Sequence, residues 1–295
     1  MVALTPRASA TAGARQDLEE RRRPWQPARP AEVPVSETVR TSIDAGVARI
    51  WIHRPEVHNA FDDEVVARLD EAISRCSSDR AVRVIVLGSE GRSFSAGADL
   101  NWMRRAAAAG DAENAADAAK LAGMLRRLAE APQATVARVQ GTALGGGLGL
   151  VCACDLAIAT ERARFGFSEV KLGLVPAVIS PHAIAKIGPG RARELFVTGA
   201  RFDARAAERY GLVARVVPDE EALDAALAET LEQLRSSAPG AVAASKKLIR
   251  EVLRRDGAEL DAYTAEQIAA RRASEEAREG MRAFLEKRPP AWAAR

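Results

Sequence analysis

Two short segments constrain this chain more than any others: Phe94-Ser95-Ala96-Gly97-Ala98-Asp99, and Gly141-Thr142-Ala143-Leu144-Gly145-Gly146-Gly147 running on to Cys154-Asp155. Each is a turn of small residues after an apolar strand-like run, and each opens a predicted helix. The first N–H groups of a helix have no partner within it. Two such turns can therefore aim two backbone N–H groups at one point and hold an oxyanion without a charged side chain. Glu169 follows at a spacing that returns one carboxylate toward that point.

The first turn is equally compatible with a plain tight strand-to-helix junction. In the second, three consecutive glycines cost conformational entropy, which makes sense where backbone N–H groups are presented unshielded; a close helix crossing is the alternative. No Lys-Ser/Thr follows the glycines, so the segment is not a phosphate-binding P-loop. It also lacks the Gly-x-Gly-x-x-Gly spacing of a dinucleotide site.

Around these turns the periodicities predict an α/β core. Glu37–Ile43 and Val47–Ile52 read as a hairpin. Asp62–Ser77 has helical spacing, with Val65, Leu69, Ala72, Ile73 and Cys76 on one face. Val82–Leu87 reads as an apolar run, hence a buried strand; Thr135–Val139 reads as a buried strand leading to the glycine turn, and Leu156–Ala159 as a further strand. Helices are predicted from about Asp99, over Ala112–Ala131 and over Gly147–Cys154. Such alternation implies parallel pairing. Past Pro218 the pattern turns helical: Glu220–Leu234, Ala241–Arg254, Ala258–Arg272 and Ser274–Lys287. The predicted organisation is a flexible extension (1–35), an α/β core (36–218) and a helical region (219–295).

Composition excludes several functions. The 295 residues carry a net charge of only +3, and residues 1–35 hold six arginines against four acids, leaving the body close to neutral. No basic stripe remains to track nucleic acid. No apolar run nears the roughly 18 residues of a membrane span. Three cysteines, an odd count, suit a reducing cytoplasm rather than a disulfide framework. Cys152-x-Cys154 lacks a second pair or a His cluster, so packed core thiols fit better than zinc ligands.

Taken together, the turns, Arg54-Pro55-Glu56-Val57-His58-Asn59-Ala60-Phe61, Phe165–Pro176 and Ala283-Phe284-Leu285-Glu286-Lys287-Arg288 resemble the crotonase (enoyl-CoA hydratase/isomerase) family over nearly everything past residue 36. The resemblance implies a crotonase (ClpP-like) ββα spiral core, a C-terminal helical oligomerisation region, and trimers commonly paired into hexamers. It implies an acyl-CoA thioester substrate, with CoA entering as part of the substrate and no metal or separate cofactor. The N–H groups of Ala98 and Gly146 would form the oxyanion hole, next to Gly145. Ala98, Asp99, Leu100 and Asn101 would border the thioester and pantetheine. Val57, His58 and Ala96 would meet the nucleotide end of CoA. Phe284 and Lys287 match positions that reach a neighbouring subunit's CoA; core packing and a solvated helix end are the alternatives.

Family hydratases usually carry two catalytic glutamates. Glu169 matches one, and Gly149 stands at the other's place. A single-glutamate hydratase, a Δ3,Δ2-enoyl isomerase and a catalytically weak CoA-ester-binding or scaffold protein are the resulting alternatives. Gly147–Leu150, Ser168–Lys171, Pro176–Pro181 and Phe284–Trp292 resemble bacterial methylglutaconyl-CoA and isohexenylglutaconyl-CoA hydratases, which favours the first. In that subgroup, glycine replaces the first glutamate and hydration persists. Ala177-Val178-Ile179 stands where most members have glycine-rich chain, giving a stiffer apolar wall. A dicarboxylic acyl group would need a cation, for which Arg104, Arg105, Arg164 and Lys171 are candidates.

Overall fold

The computed structural model describes residues 38–293, so the predicted N-terminal extension lies outside the described residues. A hairpin, β1 (Val39–Asp44) and β2 (Val47–Ile52), leads through α1 (Asp63–Ser78) to β3 (Val84–Ser89). The chain then repeats one plan. A strand in a large sheet is followed by a three-residue strand in a small one, and then by helix. The first round is β3, β4 (Ser93–Ser95), α2 (Leu100–Ala108) and α3 (Asp111–Glu130). The second is β5 (Ala134–Val139), β6 (Thr142–Leu144) and α4 (Gly146–Ala153). The third is β7 (Leu156–Thr160), β8 (Arg164–Gly166), a 3-10 turn Glu169–Leu172 and α5 (Ser180–Thr198). β9 (Arg201–Asp203), α6 (Ala204–Arg209) and β10 (Arg215–Val217) complete the spiral.

The large sheet runs β1-β2-β3-β5-β7-β10, parallel throughout except for the β1–β2 hairpin, and the small one runs β4-β6-β8-β9. β3 is apolar throughout its core-facing run because both its faces are covered. Ile85 and Leu87 join a core with Phe61, Leu69 and Phe94, while Val84 and Val86 pack with Leu223, Leu227 and Leu231 of α7 (Glu220–Ser236). α1 starts where the Asp62 carboxylate accepts from the Val65 N–H at 3.0 Å, and it buries the predicted stripe of Val65, Leu69, Ala72, Ile73 and Cys76.

Three more helices follow: α8 (Pro239–Val252), α9 (Gly257–Arg272) and α10 (Glu275–Leu285). Of their residues only Ala283 is buried; Ile249, Ile268, Met281, Phe284 and Leu285 are exposed, as is Leu253 at the end of α8. The thiols of Cys152 and Cys154 are buried and free, each pushed up to about 12 by that burial, which leaves them unreactive packing groups. No helix among the described residues is long and apolar enough to cross a membrane.

Candidate active site

β4 and β6 are parallel neighbours, so the turns that leave them emerge side by side. In the first turn Gly97 has φ +90°, where a side chain is strained, and its N–H donates to Ser95 Oγ at 3.2 Å. The next residue, Ala98, bridges to Phe61 in parallel register. The bonds of that bridge belong to its neighbours: Phe61 N–H donates to the Gly97 carbonyl at 2.9 Å, and Asp99 N–H to the Phe61 carbonyl at 3.0 Å. Backbone alternation turns the Ala98 N–H to the opposite side, and no backbone hydrogen bond among the described residues uses it.

In the second turn Gly145 has φ +49° and donates its N–H to the Gly166 carbonyl at 3.0 Å. Gly146 begins α4, so its N–H has no helical partner. The two turns touch. A Cβ on Gly97 would lie 2.8 Å from the Leu144 carbonyl oxygen and 3.5 Å from Gly146 N. Glu169 comes to the same place, for a Cβ on Gly145 would lie 3.4 Å from its Oε1. Its Oε2 is buried without a hydrogen-bond partner. Burial pushes the Glu169 carboxyl above the ordinary glutamate range, while a bond from its own backbone pulls the other way.

The 54–61 loop braces the first turn. Arg54 donates to the Ala60 carbonyl at 2.8 Å and to Asp99 Oδ2 at 3.3 Å, and lies 3.3 Å from Asp62. Asp99 caps α2, accepting from the N–H groups of Asn101 at 2.8 Å and Trp102 at 3.4 Å. Burial of the Asp99 carboxyl raises its pKa, but those two bonds and Arg54 outweigh it and hold the group below the usual range. Asn59, fully buried, links the loop to β3–β4 by donating to the carbonyls of Glu90 at 2.7 Å and Ser93 at 2.8 Å.

The structure thus brings together Ala98, Gly145, Gly146 and Glu169, with Ala96, Asp99, Leu100 and Asn101 flanking them. Leu100 is 69% exposed at the mouth of α2. Val57 ends a 3-10 turn, and His58 follows in the left-handed region with Nδ1 3.2 Å from Ser93 Oγ. The Ala96 N–H donates to the His58 carbonyl at 3.0 Å, so these three residues form one ledge. Gly149 is buried against Ile179 and Leu125. Phe284 and Lys287 lie at the far end of α10, away from the turns in the chain's connectivity. Phe284 is 82% exposed, which overturns core packing as its role. Its apolar periodicity reflects a surface of α10 that the other described residues do not cover.

The distal-cation candidates are disposed differently. Arg105 pairs with Asp63 at 2.5 Å, Arg164 donates to the carbonyls of Glu161 and Ala163, and Arg104 donates to Asn101 Oδ1 at 2.7 Å. The Lys171 stem lies over Gly199, where a Cβ would meet its Cγ and Cε at 3.1 Å. Sequence reasoning did not single out Arg54 or Phe61, and it gave Ile179 only as part of the apolar wall Ala177-Val178-Ile179. The first two lay inside a motif already quoted. Contact between Ile179 and Gly149 had no local signal.

A ββα spiral with two small-residue turns at adjacent parallel strand ends defines an enzyme of the crotonase fold. The chain belongs to the enoyl-CoA hydratase/isomerase family, which it matches over residues 42–295. An enoyl-CoA hydratase from Shewanella pealeana superposes with a TM-score of 0.84 at 39% identity, covering 86% of this chain and 96% of that one. AtuE of Pseudomonas aeruginosa gives a TM-score of 0.84 at 40% identity, covering 87% and 100%. The crotonyl-CoA hydratase of Syntrophomonas wolfei is 34% identical over 245 residues, 82% of this chain and 92% of its own length.

Proposed function

We propose that this chain adds water across the double bond of a 2-enoyl-CoA, with Glu169 as the single acid–base group and the N–H groups of Ala98 and Gly146 as the oxyanion hole. The observation that carries the reading is the seating of Glu169 at Gly145, one residue before the Gly146 amide. The thioester oxygen binds between the two amides. The Glu169 carboxylate takes a proton from water, whose oxygen bonds to the β carbon while the double-bond electrons move onto the thioester oxygen. The protonated carboxyl then delivers its proton to the α carbon as the carbonyl reforms. Both additions come from one face, so hydration is syn. A raised carboxyl pKa suits a group that must both accept and return a proton.

The leading substrate is 3-methylglutaconyl-CoA or a related branched enoyl-CoA. Support comes from the local resemblance around Gly147–Leu150 and Pro176–Pro181, and from the lack of room for a side chain at Gly149. We assign CoA-nucleotide contacts to Val57, His58 and Ala96, and contacts with a neighbouring copy's CoA to Phe284 and Lys287 in a trimer or a pair of trimers. The exposed apolar side chains of α8–α10 support that assembly.

The test is a panel of 2-enoyl- and 3-enoyl-CoA thioesters, with and without a terminal carboxylate, followed by loss of the conjugated thioester absorbance. Hydration of 2-enoyl substrates, highest for the branched dicarboxylic one, is expected. Interconversion of 3-enoyl and 2-enoyl thioesters without water addition would replace this reading by isomerisation. Tight CoA-ester binding with no turnover would replace it by a binding role.

A further inference from the structure

Gly145 and Gly149 are joined by a hydrogen bond from the Gly149 N–H to the Gly145 carbonyl at 3.0 Å. Gly149 therefore lies one turn past the N-cap of α4, Gly145, and about 6 Å along the helix axis from it. The Glu169 carboxylate stands over Gly145. Ile179 stands over Gly149: a Cβ on Gly149 would clash with Ile179 Cγ2, and would lie 3.0 Å from its Cβ and 3.5 Å from Leu125 Cδ1. The direction in which a side chain at 149 would extend is already filled.

The filling is held rigidly. Ile179 is 2% exposed and β-branched, with restricted χ1. It sits immediately before α5, and its carbonyl accepts from the Ala183 N–H at 3.0 Å. The preceding chain is tied by Ala177 N–H to the Val175 carbonyl at 2.8 Å, and by Ser180 N–H and Oγ to the Ala177 carbonyl at 3.2 and 2.8 Å.

We propose that Ile179 is a specificity-determining residue: its side chain closes the acyl pocket one helical turn beyond Glu169 and limits the enzyme to short, compact acyl groups. The inference rests on the hydratase reading. An acyl chain whose carbonyl lies between Ala98 and Gly146 presents its α and β carbons to Glu169. Atoms beyond the β carbon then run toward the next turn of α4, where Ile179 and Leu125 leave no room for further methylenes. A methyl branch meets an apolar wall; a chain four carbons longer needs the space that Ile179 occupies. Misfit of even one methylene changes selectivity by about 10–200-fold.

The test compares the full-length enzyme with Ile179→Ala and Ile179→Val, using 2-enoyl-CoA substrates of four and eight carbons. The wild type is expected to favour the four-carbon substrate, and Ile179→Ala to raise the C8/C4 ratio of kcat/KM by tenfold or more, chiefly through a lower KM for C8. Ile179→Val, which keeps most of the packing, is expected to move the ratio in the same direction by less. Calorimetric titration with butyryl-CoA and octanoyl-CoA reads the same preference without turnover, so it separates failure of this inference from failure of the hydratase reading. A C8/C4 preference within twofold of wild type in both variants, in turnover and in binding, overturns the proposal. If Ile179→Ala does not fold, an unshifted Ile179→Val does so alone.

Discussion

The ring of Phe61 lies directly on Gly146: a Cβ placed on that glycine would be 2.5 Å from Phe61 Cζ. The backbone of the same residue is bonded on both sides to the Gly97–Asp99 segment. One fully buried side chain therefore sets the spacing between the two proposed oxyanion amides. Phe61→Leu keeps apolar volume but loses the flat ring. We expect it to fold, with a midpoint several degrees lower, and to lose on the order of 10²-fold in kcat, as a misplacement of about 1 Å does. Thermal unfolding and steady-state kinetics on one preparation check this.

Gly97 supplies the first amide's position through its φ of +90°, and its Cα faces the Leu144 carbonyl. Gly97→Ala would strain the backbone by about 1–3 kcal/mol and push the turn away from β6. The Ala98 N–H moves with it. The expected result is a fall in kcat of about 10²–10³-fold, the usual cost of losing one such donor, with a smaller change in KM.

The pH dependence of Glu169 follows from its burial. The base form is the carboxylate, and its pKa lies above the ordinary range. The acid limb of kcat/KM should therefore fall at a higher pH than a free glutamate, about 4.3, would give. Stability runs the other way. A group with a raised folded pKa stabilises the fold fully below its unfolded pKa, and that contribution is lost as pH rises through the folded pKa. Glu169→Gln should thus be more resistant to heat than wild type at neutral pH, with the gap closing on acidification.

Asp99 has the opposite sign. Its folded pKa is held low by the Asn101 and Trp102 N–H groups and by Arg54, against the effect of burial. Its contribution is present above the unfolded value of about 3.9 and is lost as pH falls through the lower folded value. Asp99→Asn should flatten the acid end of the stability curve. It should also lower kcat, because the cap that follows Ala98 loosens. Urea unfolding from pH 2 to pH 7 measures the first effect.

Much of this was legible in the sequence because it is local. The Val84–Leu87 run of β3, the largely apolar β5 and the stripe on α1 carry their own signals. The two turns are written in small residues, and Asp99 at the start of α2 is a cap by composition. Other elements left no such trace. β4, β6, β8 and β9 are three residues each, too short for alternation to register, yet β4 and β6 set the two turns side by side. α5 has no clean apolar period, and Gly188 at φ +71° before Pro189 breaks it midway. The Ile179–Gly149 contact joins residues thirty positions apart, and the exposure of Phe284 depends on what packs against α10. Spacing within one segment specifies neither.

The central claim is that two backbone amides hold the thioester while Glu169 alone moves the protons. Its most direct test is Glu169→Gln, mixed with a conjugated 2-enoyl-CoA and followed at once by calorimetric titration and by loss of the thioester absorbance. The account predicts binding within a few-fold of wild type and hydration reduced by on the order of 10⁴-fold or more, since one group supplies both proton transfers. Hydration by that variant near the wild-type rate would contradict it.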